Sequence, residues 1–289
     1  MTQIRLIAID IDGTLLDSRW LVPESNRRAI AEATARGIEV ALVTGRRFDF
    51  ARAVIDQIPS PLTLIVNNGA LVKTKDGTTV IRHLLPREIA RQVLEATQAF
   101  RDGTGLIFDR PCAEQVVIEC LEPDEPHMRR YLERNRDFVV PIAPLQAALT
   151  EDPIQIMYSG PVQPMRQLVA ILAGLPIADR YAFSVTEYED RDFTLVDVVR
   201  AGCSKGAMLA EWTVRRGLAR EEVMAIGDNL NDREMLEFAG LRVVMGNCAP
   251  PLRALGWPTT LTNDEGGVAA AIEKFVLHAD QDWPSATRN

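Results

Sequence analysis

The sequence predicts an α/β protein whose parallel-sheet core is interrupted by a second module. Both ends of the 289-residue chain alternate short apolar runs with helical patterns, as parallel strands joined by crossover helices do. The middle, residues 83–196, has no lysine and carries 11 Arg against 18 Asp plus Glu, whereas the remainder carries 21 basic residues against 22 acidic ones. We therefore predict a core made of 1–82 and 197–289 and an inserted α/β domain at 83–196.

The N-terminal part supplies the first strands and helices of the predicted core. Apolar runs predict strands at 4–9, 38–43 and 62–66. Because these runs are almost continuously apolar, the sheet is expected to be covered on both faces. Amphipathic patterns predict helices at 24–36 and 48–58. Residues 70–82 switch to an alternating pattern around Asp76-Gly77, which predicts a β-hairpin.

The inserted module and the C-terminal part have their own patterns. In the module we predict helices at 86–100, 125–135 and 164–173 and strands at 105–108, 115–121, 138–142, 154–158, 181–186 and 193–199. The C-terminal part returns to strand–helix alternation. It is predicted to form helices at 204–217, 230–239, 250–255 and 267–277 and strands at 223–226, 241–245 and 259–262.

Composition excludes several classes of protein. A formal net charge of −8 disfavours nucleic acid as a partner, because such a surface is net basic. No stretch approaches the length of apolar sequence that spans a membrane, and the acids near the start do not fit a signal peptide. The four cysteines are scattered and form no CxxC pair, so we expect neither a zinc site nor a disulfide framework. A cytoplasmic location is the corresponding expectation.

Two pairs of carboxylates follow predicted strands. Asp10-Ile11-Asp12-Gly13-Thr14 comes after the first strand, and Gly227-Asp228-Asn229-Leu230-Asn231-Asp232 follows the run at 223–226. Catalytic groups of open α/β sheets lie at the carboxyl ends of strands. Carboxylates held close together repel, which favours either a bound cation or a split in their pKa values, and their oxygens suit Mg²⁺. Taken alone, the second segment is also explained by an acidic helix N-cap.

Two further segments predict a phosphate site. Thr44-Gly45-Arg46 follows the second strand and offers a hydroxyl, a glycine amide and, on Arg46, a guanidinium that could clamp an anionic substrate. Lys205 opens a helix, where a cation is unfavourable for the helix dipole, so an anionic partner is expected. Because only four residues of the chain are lysine, this placement is informative.

In this order the four segments resemble the haloacid-dehalogenase superfamily of phosphohydrolases. Asn67-Asn68-Gly69-Ala70 and the segment 263–269 look like its Cof-type branch, in which a large α/β cap is inserted into a Rossmann-like core. The resemblance covers nearly the whole core but is architectural only in the cap. Cys203 stands where an aliphatic residue is more usual and Gly267 where an acid is common, and neither departure touches the catalytic set.

The resemblance implies a role for each motif residue. Asp10 would be the nucleophile that forms an aspartyl-phosphate, and Asp12 would be the general acid and then the base for the hydrolytic water. Mg²⁺ would be held by the Asp10 carboxylate, the main-chain carbonyl of Asp12 and Asp228. Asp232 would orient Lys205 or a water on the metal. The phosphoryl oxygens would be bound by Thr44, Lys205 and Asn231.

Asp12 separates activities within this resemblance. Dehalogenases of the superfamily lack an acid two residues after the nucleophile, and its ion-pumping ATPases carry Thr there. The predicted function is therefore Mg²⁺-dependent hydrolysis of a small phosphomonoester, such as a sugar phosphate or similar metabolite. A phosphomutase with the same nucleophile and a non-catalytic phosphometabolite-binding module are the alternatives. We expect no membrane or nucleic-acid partner and either a monomer or a homodimer.

Two residues beside the motifs are expected to have structural roles. Trp20 follows the first motif and is predicted to pack in the core or to anchor a loop, with a place at the entrance of the cap as the alternative. Cys203 lies two residues before Lys205 and is predicted to be a small buried apolar residue rather than a reactive thiol.

Overall fold

The computed structural model describes residues 3–110, 114–122 and 126–277. These residues divide into two units, one formed by the chain up to Val80 and from Lys205 onward, the other by Ile81–Ser204. Each unit has its own sheet. Within the described ranges, no helix combines the length and apolarity needed to cross a membrane.

Strands and helices alternate along most of the described chain. The strands are β1 (Leu6–Asp10), β2 (Glu39–Val43), β3 (Thr63–Val66), β4 (Leu71–Thr74), β5 (Thr79–Arg82), β6 (Thr104–Ile107), β7 (Val116–Ile118), β8 (Val139–Pro141), β9 (Gln155–Gly160), β10 (Tyr181–Tyr188), β11 (Phe193–Arg200), β12 (Val223–Gly227) and β13 (Leu241–Val244). The helices are α1 (Glu24–Ala35), α2 (Phe48–Ile55), α3 (Arg87–Ala96), α4 (Pro126–Asn135), α5 (Val162–Gly174), α6 (Lys205–Arg215), α7 (Arg233–Phe238), α8 (Pro250–Arg253) and α9 (Gly267–Ile272).

The sheet of the first unit has its N-terminal strand at the centre. Its order is β13-β12-β1-β2-β3-β4-β5, and β1 pairs in parallel with both β2 and β12. Every residue of β1 is buried, as expected for an apolar strand covered on both faces. Asp10 pairs in register with Val43 and Ile9 with Ile226, so the three strands end at the same edge of the sheet.

The second unit is built on a six-stranded sheet of order β10-β11-β9-β6-β7-β8. Its pairs are antiparallel except for β7 with β8. One face of this sheet packs against the apolar sides of α3 and α5. The shared core includes Leu94, Leu106, Tyr158, Leu168 and Val196. Tyr158 is fully buried, and its hydroxyl is 2.8 Å from Thr97 Oγ1, which satisfies the polar end of a large side chain in this core.

Most predicted elements form where the patterns placed them, and the α/β fold class is confirmed. The predicted strand at 259–262 is wrong, because only Thr259 forms a bridge, with Val244 at the end of β13. The segment meets β13 only at that strand's last residues, and the chain turns away at Asn263–Glu265. The boundary at 196 falls inside β11, which pairs with β10 along its whole length and lies in the second unit. The predicted helix start at 125 lies outside the described residues.

Candidate active site

Lys205 contacts two carboxylates at the carboxyl edge of the first sheet. Its Nζ donates to Asp10 Oδ1 at 2.6 Å and to Asp232 Oδ1 at 2.7 Å. Asp10 is the last residue of β1, and Lys205 is the first residue of α6. None of the three residues is more than 4% exposed. The anionic partner that the lysine requires at a helix start is therefore a pair of buried acids.

Asp232 is held on both carboxylate oxygens. While Oδ1 accepts from Lys205, Oδ2 accepts from the backbone N–H groups of Asp228 at 3.0 Å and Asn229 at 3.1 Å. A Cβ on Gly227 would lie only 2.7 Å from the Asp232 Cβ, so the strand end needs a glycine here. Asp232 therefore connects Lys205 to the loop that carries Asp228, and its own carboxylate is already used.

Asp228 approaches the first motif through Thr14 and Gly13. Thr14 Oγ1 donates to Asp228 Oδ1 at 2.7 Å. Gly13 has a φ of +79°, and a Cβ there would lie 2.4 Å from Asp228 Oδ2. Asn247, which the sequence did not single out, donates from Nδ2 to the Gly13 carbonyl at 2.8 Å. The glycine is thus required by both its conformation and its close approach to the carboxylate.

The electrostatics of the cluster show an excess of negative charge. Burial raises the pKa of Asp10 well above its usual value, and Asp232, Asp228 and Asp12 raise it further against the opposing effect of Lys205. Burial and the neighbouring Asp232 raise the pKa of Asp228 to about 7. Although burial lowers the pKa of Lys205, Asp10 and Asp232 outweigh it, so this pKa lies above its usual value. The lysine stays charged but does not neutralise the surrounding acids.

The donor set of the cluster fits a hard divalent cation. Asp10, Asp228 and Asp232 each offer a carboxylate oxygen, and these oxygens lie within 4.8 Å of one another. Because the Asp232 oxygens are engaged by Lys205 and the backbone, Asp10 and Asp228 are the carboxylates best placed to bind an ion. Burial is the main cause of the raised pKa values of Asp10 and Asp228, and the neighbouring carboxylates raise them further; a bound cation would offset both effects.

Asp12 is paired with Arg46, a contact that the sequence did not predict. Asp12 lies in the wide turn Ile11–Leu15 that follows β1. Arg46 donates from Nε to Asp12 Oδ2 at 2.8 Å and from Nη2 to Oδ1. The Arg46 N–H also donates to Thr44 Oγ1 at 3.1 Å. The guanidinium, expected to face an anionic substrate, is thus bidentate on a carboxylate of the protein's own first motif.

The other expected phosphate-binding residues lie at the ends of neighbouring strands. Thr44 and Gly45 follow β2, and Thr44 is 1% exposed. A Cβ on Gly45 would lie 2.9 Å from Asn68 Oδ1, so this glycine allows the Asn68 side chain to pack against it. Asn231 precedes Asp232, and its Oδ1 is buried without a hydrogen-bond partner among the described residues. Two hydrogen-bonded groups form at this edge of the sheet. One joins Lys205, Asp10, Asp232, Asp228 and Thr14, and the other joins Asp12, Arg46 and Thr44. The N–H groups of Asn67 and Asn68 donate to the carbonyls of Arg46 and Thr44.

Trp20 does not pack in the core. It is 58% exposed and has a φ of +65°. The Arg46 guanidinium carbon lies 5.5 Å from the centroid of the Trp20 ring and 5.0 Å from that of Phe50.

Cys203, in contrast, is 7% exposed, as the sequence predicted.

Comparison with known proteins identifies the family. The model of the haloacid dehalogenase-like hydrolase family matches residues 7–272. The chain belongs to this family. The match spans the two units and all four motifs, so the resemblance inferred from the sequence is confirmed.

The hydrolase has curated relatives that are named as phosphatases. It is 29% identical over 275 residues to the 5-amino-6-(5-phospho-D-ribitylamino)uracil phosphatase YcsE of Bacillus subtilis, covering 95% of this chain and 97% of that protein. It is 30% identical over 251 residues to the HMP-PP phosphatase of Serratia proteamaculans, covering 87% of each. These similarities support phosphatase activity for this hydrolase.

Solved structures share the fold of this hydrolase. The structure of a haloacid dehalogenase-like hydrolase from Bacteroides thetaiotaomicron superimposes with a TM-score of 0.78 at 24% identity. The alignment covers 94% of this chain and 100% of the other. The two chains therefore share their fold.

Proposed function

We propose that this hydrolase is a Mg²⁺-dependent phosphatase of small phosphomonoesters that acts through an aspartyl-phosphate on Asp10. The observation that carries the proposal is the position of Asp10. It ends the central strand and is buried, and Lys205 holds one of its oxygens at 2.6 Å. A carboxylate fixed on one oxygen keeps the other for attack on phosphorus.

The groups around Asp10 prepare it for that attack. Asp232 fixes Lys205, and Thr14 fixes Asp228. Mg²⁺ held by Asp10, Asp228 and the main-chain carbonyl of Asp12 would offset the repulsion among the carboxylates and polarise the phosphoryl group. Lys205, Thr44 and Asn231 bind the phosphoryl oxygens in this proposal. Their charge and dipoles match the charge that spreads over those oxygens in the transition state.

Asp12 moves the protons. The Asp10 carboxylate forms a bond to phosphorus while the bond to the leaving oxygen breaks, and Asp12 gives its proton to that oxygen. Asp12 then takes a proton from a water molecule, which attacks the aspartyl-phosphate, releases phosphate and restores Asp10. Both Asp12 oxygens accept from Arg46 in the structure, so one of these contacts opens when Asp12 carries the proton, and the other keeps the carboxyl group oriented.

The proposed substrate is a small phosphorylated metabolite such as a sugar phosphate. The names of two relatives, an HMP-PP phosphatase and a 5-amino-6-(5-phospho-D-ribitylamino)uracil phosphatase, support that class. We assign catalysis to the first unit and selection of the substrate, the role of a cap, to the second. The cysteines of the described chain are not joined in disulfides, which suits the reducing conditions of the cytoplasm, where we place the activity.

The test is release of phosphate from 4-nitrophenyl phosphate and from a panel of phosphorylated metabolites, with Mg²⁺ and with a chelator. Asp10→Asn is expected to abolish turnover, by at least about 10⁴-fold. Asp190→Asn, an exposed acid of the second unit, is the matched control and keeps full activity. Reaction in oxygen-18 water should label the released phosphate, which a phosphomutase would not do. Full activity of Asp10→Asn, or of the wild type in excess chelator, contradicts the proposal.

A further inference from the structure

Trp20 is an exposed aromatic residue of the first unit, 58% accessible to solvent. It lies in the loop between the first motif and α1, and its ring is largely exposed although burying a tryptophan is strongly favourable. Its neighbour Leu21 is also 50% exposed. The backbone at Trp20 is left-handed, with a φ of +65°, a conformation that is uncommon and costly for a bulky residue.

The loop holds Trp20 in this conformation from several directions. Asp17 Oδ1 accepts from the N–H groups of Arg19 at 2.9 Å and Leu21 at 3.0 Å, and the Trp20 N–H donates to the Asp17 carbonyl at 3.0 Å. Within the same turn, the Ser18 N–H donates to Asp264 Oδ1 at 2.7 Å, which ties the turn to a distant segment of the chain. These hydrogen bonds fix the backbone that carries the ring, and the Arg46 guanidinium lies 5.5 Å from the ring centroid. A strained position that its surroundings over-determine is typical of functional sites.

The fixed ring lies beside the group that positions the general acid. Arg46 contacts the Trp20 ring at 5.5 Å and the Asp12 carboxylate through Nε at 2.8 Å. Asp12 gives its proton to the leaving oxygen in the proposed reaction, so the leaving group of the substrate must lie next to Asp12. Trp20 is then separated from the departing alcohol by one side chain, and it offers an exposed aromatic face there.

We propose that the Trp20 ring is the surface on which the leaving group of the substrate stacks, so that the enzyme prefers phosphomonoesters whose alcohol carries a planar ring close to the phosphate. The inference rests on the proposed function and adds a substrate class to it. Aromatic rings gain from offset stacking beyond the area that they bury. Because the backbone fixes Trp20 before substrate arrives, little ordering is needed on binding.

The test compares two esters of equal size whose leaving alcohols have similar acidity, benzyl phosphate and cyclohexylmethyl phosphate. Trp20→Leu and Trp20→Phe are assayed with both, and with glycerol 3-phosphate as an ester without a ring. Both replacements keep a side chain at the left-handed position, so the backbone is matched. Trp20→Leu is expected to lower kcat/KM for benzyl phosphate by about tenfold, mainly through KM, and to change the other two by less than about twofold. Trp20→Phe should restore benzyl phosphate hydrolysis to within about threefold of the wild type.

Three outcomes overturn the inference. An equal loss for all three esters would make Trp20 a positioning residue for Arg46 and Asp12 only. An equal loss for the benzyl and cyclohexylmethyl esters alone would show a general apolar surface without preference for a planar ring. Unchanged kinetics in Trp20→Leu would remove Trp20 from substrate binding altogether.

A binding measurement separates failure of this inference from failure of the proposed function. In the Asp10→Asn background, binding of benzyl phosphate should change tryptophan fluorescence, and Trp20→Phe should remove that change while calorimetry still detects binding. Absence of the fluorescence change despite calorimetric binding contradicts stacking on Trp20. In contrast, wild-type protein that hydrolyses none of the esters contradicts the phosphatase proposal itself.

Discussion

Lys205 of the first unit and Arg166 of the second each contact two carboxylates, but in opposite surroundings. The Lys205 side chain is 2% exposed between Asp10 and Asp232, whereas that of Arg166 is 49% exposed beside Glu187 and Glu189. The distances are almost equal, at 2.6 and 2.7 Å in both clusters. Water screens the second cluster and not the first, so the same contact has different consequences.

The contrast extends to the two units as wholes. Residues 81–204 contain 13 Arg, 19 acids and no lysine, so all four lysines of the chain lie outside this range. In each described ion pair of this range, at least one side chain is about a third or more exposed to water. The first unit instead buries charge where its central strands end. Net charge is therefore a poor guide to where an anionic substrate binds, because local burial decides how strongly each charge acts.

The largest expected difference between the buried and the exposed cluster is the effect of replacing its cation, Lys205 or Arg166, by Met. Lys205→Met leaves Asp10 and Asp232 buried without a counter-charge, so we expect a loss of about 3–5 kcal/mol in stability and at least about 1,000-fold in kcat/KM. Arg166→Met should cost less than about 1 kcal/mol and leave kinetics within about twofold. Urea unfolding and steady-state assays measure both. Lys205→Arg, which keeps the charge, covers the case that Lys205→Met does not fold, and normal activity in it would contradict a specific role for the lysine.

Two arginines that lie against aromatic rings offer a second comparison. Arg46 contacts Asp12 and Phe50, and Arg110 of the second unit contacts Glu151 at 2.7 Å and the Phe108 ring at 4.1 Å. Lysine cannot reproduce a bidentate guanidinium. Arg46→Lys should lower kcat by about 10–100-fold with a smaller change in KM, because Asp12 loses its orientation. Arg110→Lys should stay within about twofold, and equal losses in the two variants would argue against a special role for Arg46.

A third comparison uses two threonine hydroxyls. Thr14 donates to Asp228, whereas Thr97 of the second unit donates to the Val93 carbonyl. Thr14→Val should raise the Mg²⁺ concentration for half-maximal activity by about tenfold, since groups that orient a metal ligand typically contribute that much. The rate at saturating Mg²⁺ should change little. Thr97→Val should reduce stability by about 1 kcal/mol without altering the metal requirement, and a metal requirement unchanged in Thr14→Val would contradict Asp228 as a ligand.

The smallest expected effect is on the stability of the metal-free protein. Because the pKa of Asp228 is raised to about 7 in the folded state, the folded protein binds this proton more tightly than the unfolded chain, and stability falls as pH rises from about 4 to about 7. Asp228→Asn should therefore raise Tm by about 3–5 °C at pH 8 and leave it unchanged near pH 4. Asp190→Asn in the second unit is the control. A Tm of Asp228→Asn below that of the wild type at pH 8 would contradict the sign.

Much of the core could be predicted because its signals are local. Each strand that carries a motif is an apolar run, and Asp10, Thr44 and Asp228 follow such runs directly. The predicted strand at 259–262 is wrong because the strand propensity of its three threonines and Leu261 does not show how far the neighbouring strand extends. Strand propensity favours an extended segment, but the segment becomes a strand of the sheet only where a neighbouring strand is available to pair with it.

The contacts that organise the site could not be predicted in the same way. Thr14 and Asp228 are 214 positions apart, and Asp12 and Arg46 are 34 apart. The wide turn at Ile11–Leu15 sets the directions of the Asp12 and Thr14 side chains. No local sequence pattern predicts that turn. The exposure of Trp20 was missed for a related reason, since hydrophobicity predicts burial unless hydrogen bonds of the loop fix the backbone first.

The central place of β1 has a consequence for the synthesis of the chain. Its neighbours are β2, made soon after it, and β12, which begins at Val223. A ribosome therefore releases the entire segment 81–204 before the strand that completes the first sheet exists. The inserted unit is continuous and can fold as it emerges, whereas Asp10 must wait for Lys205 and Asp228. The contacts of the active site therefore form last, after β12 has paired with β1 and Lys205 has reached Asp10.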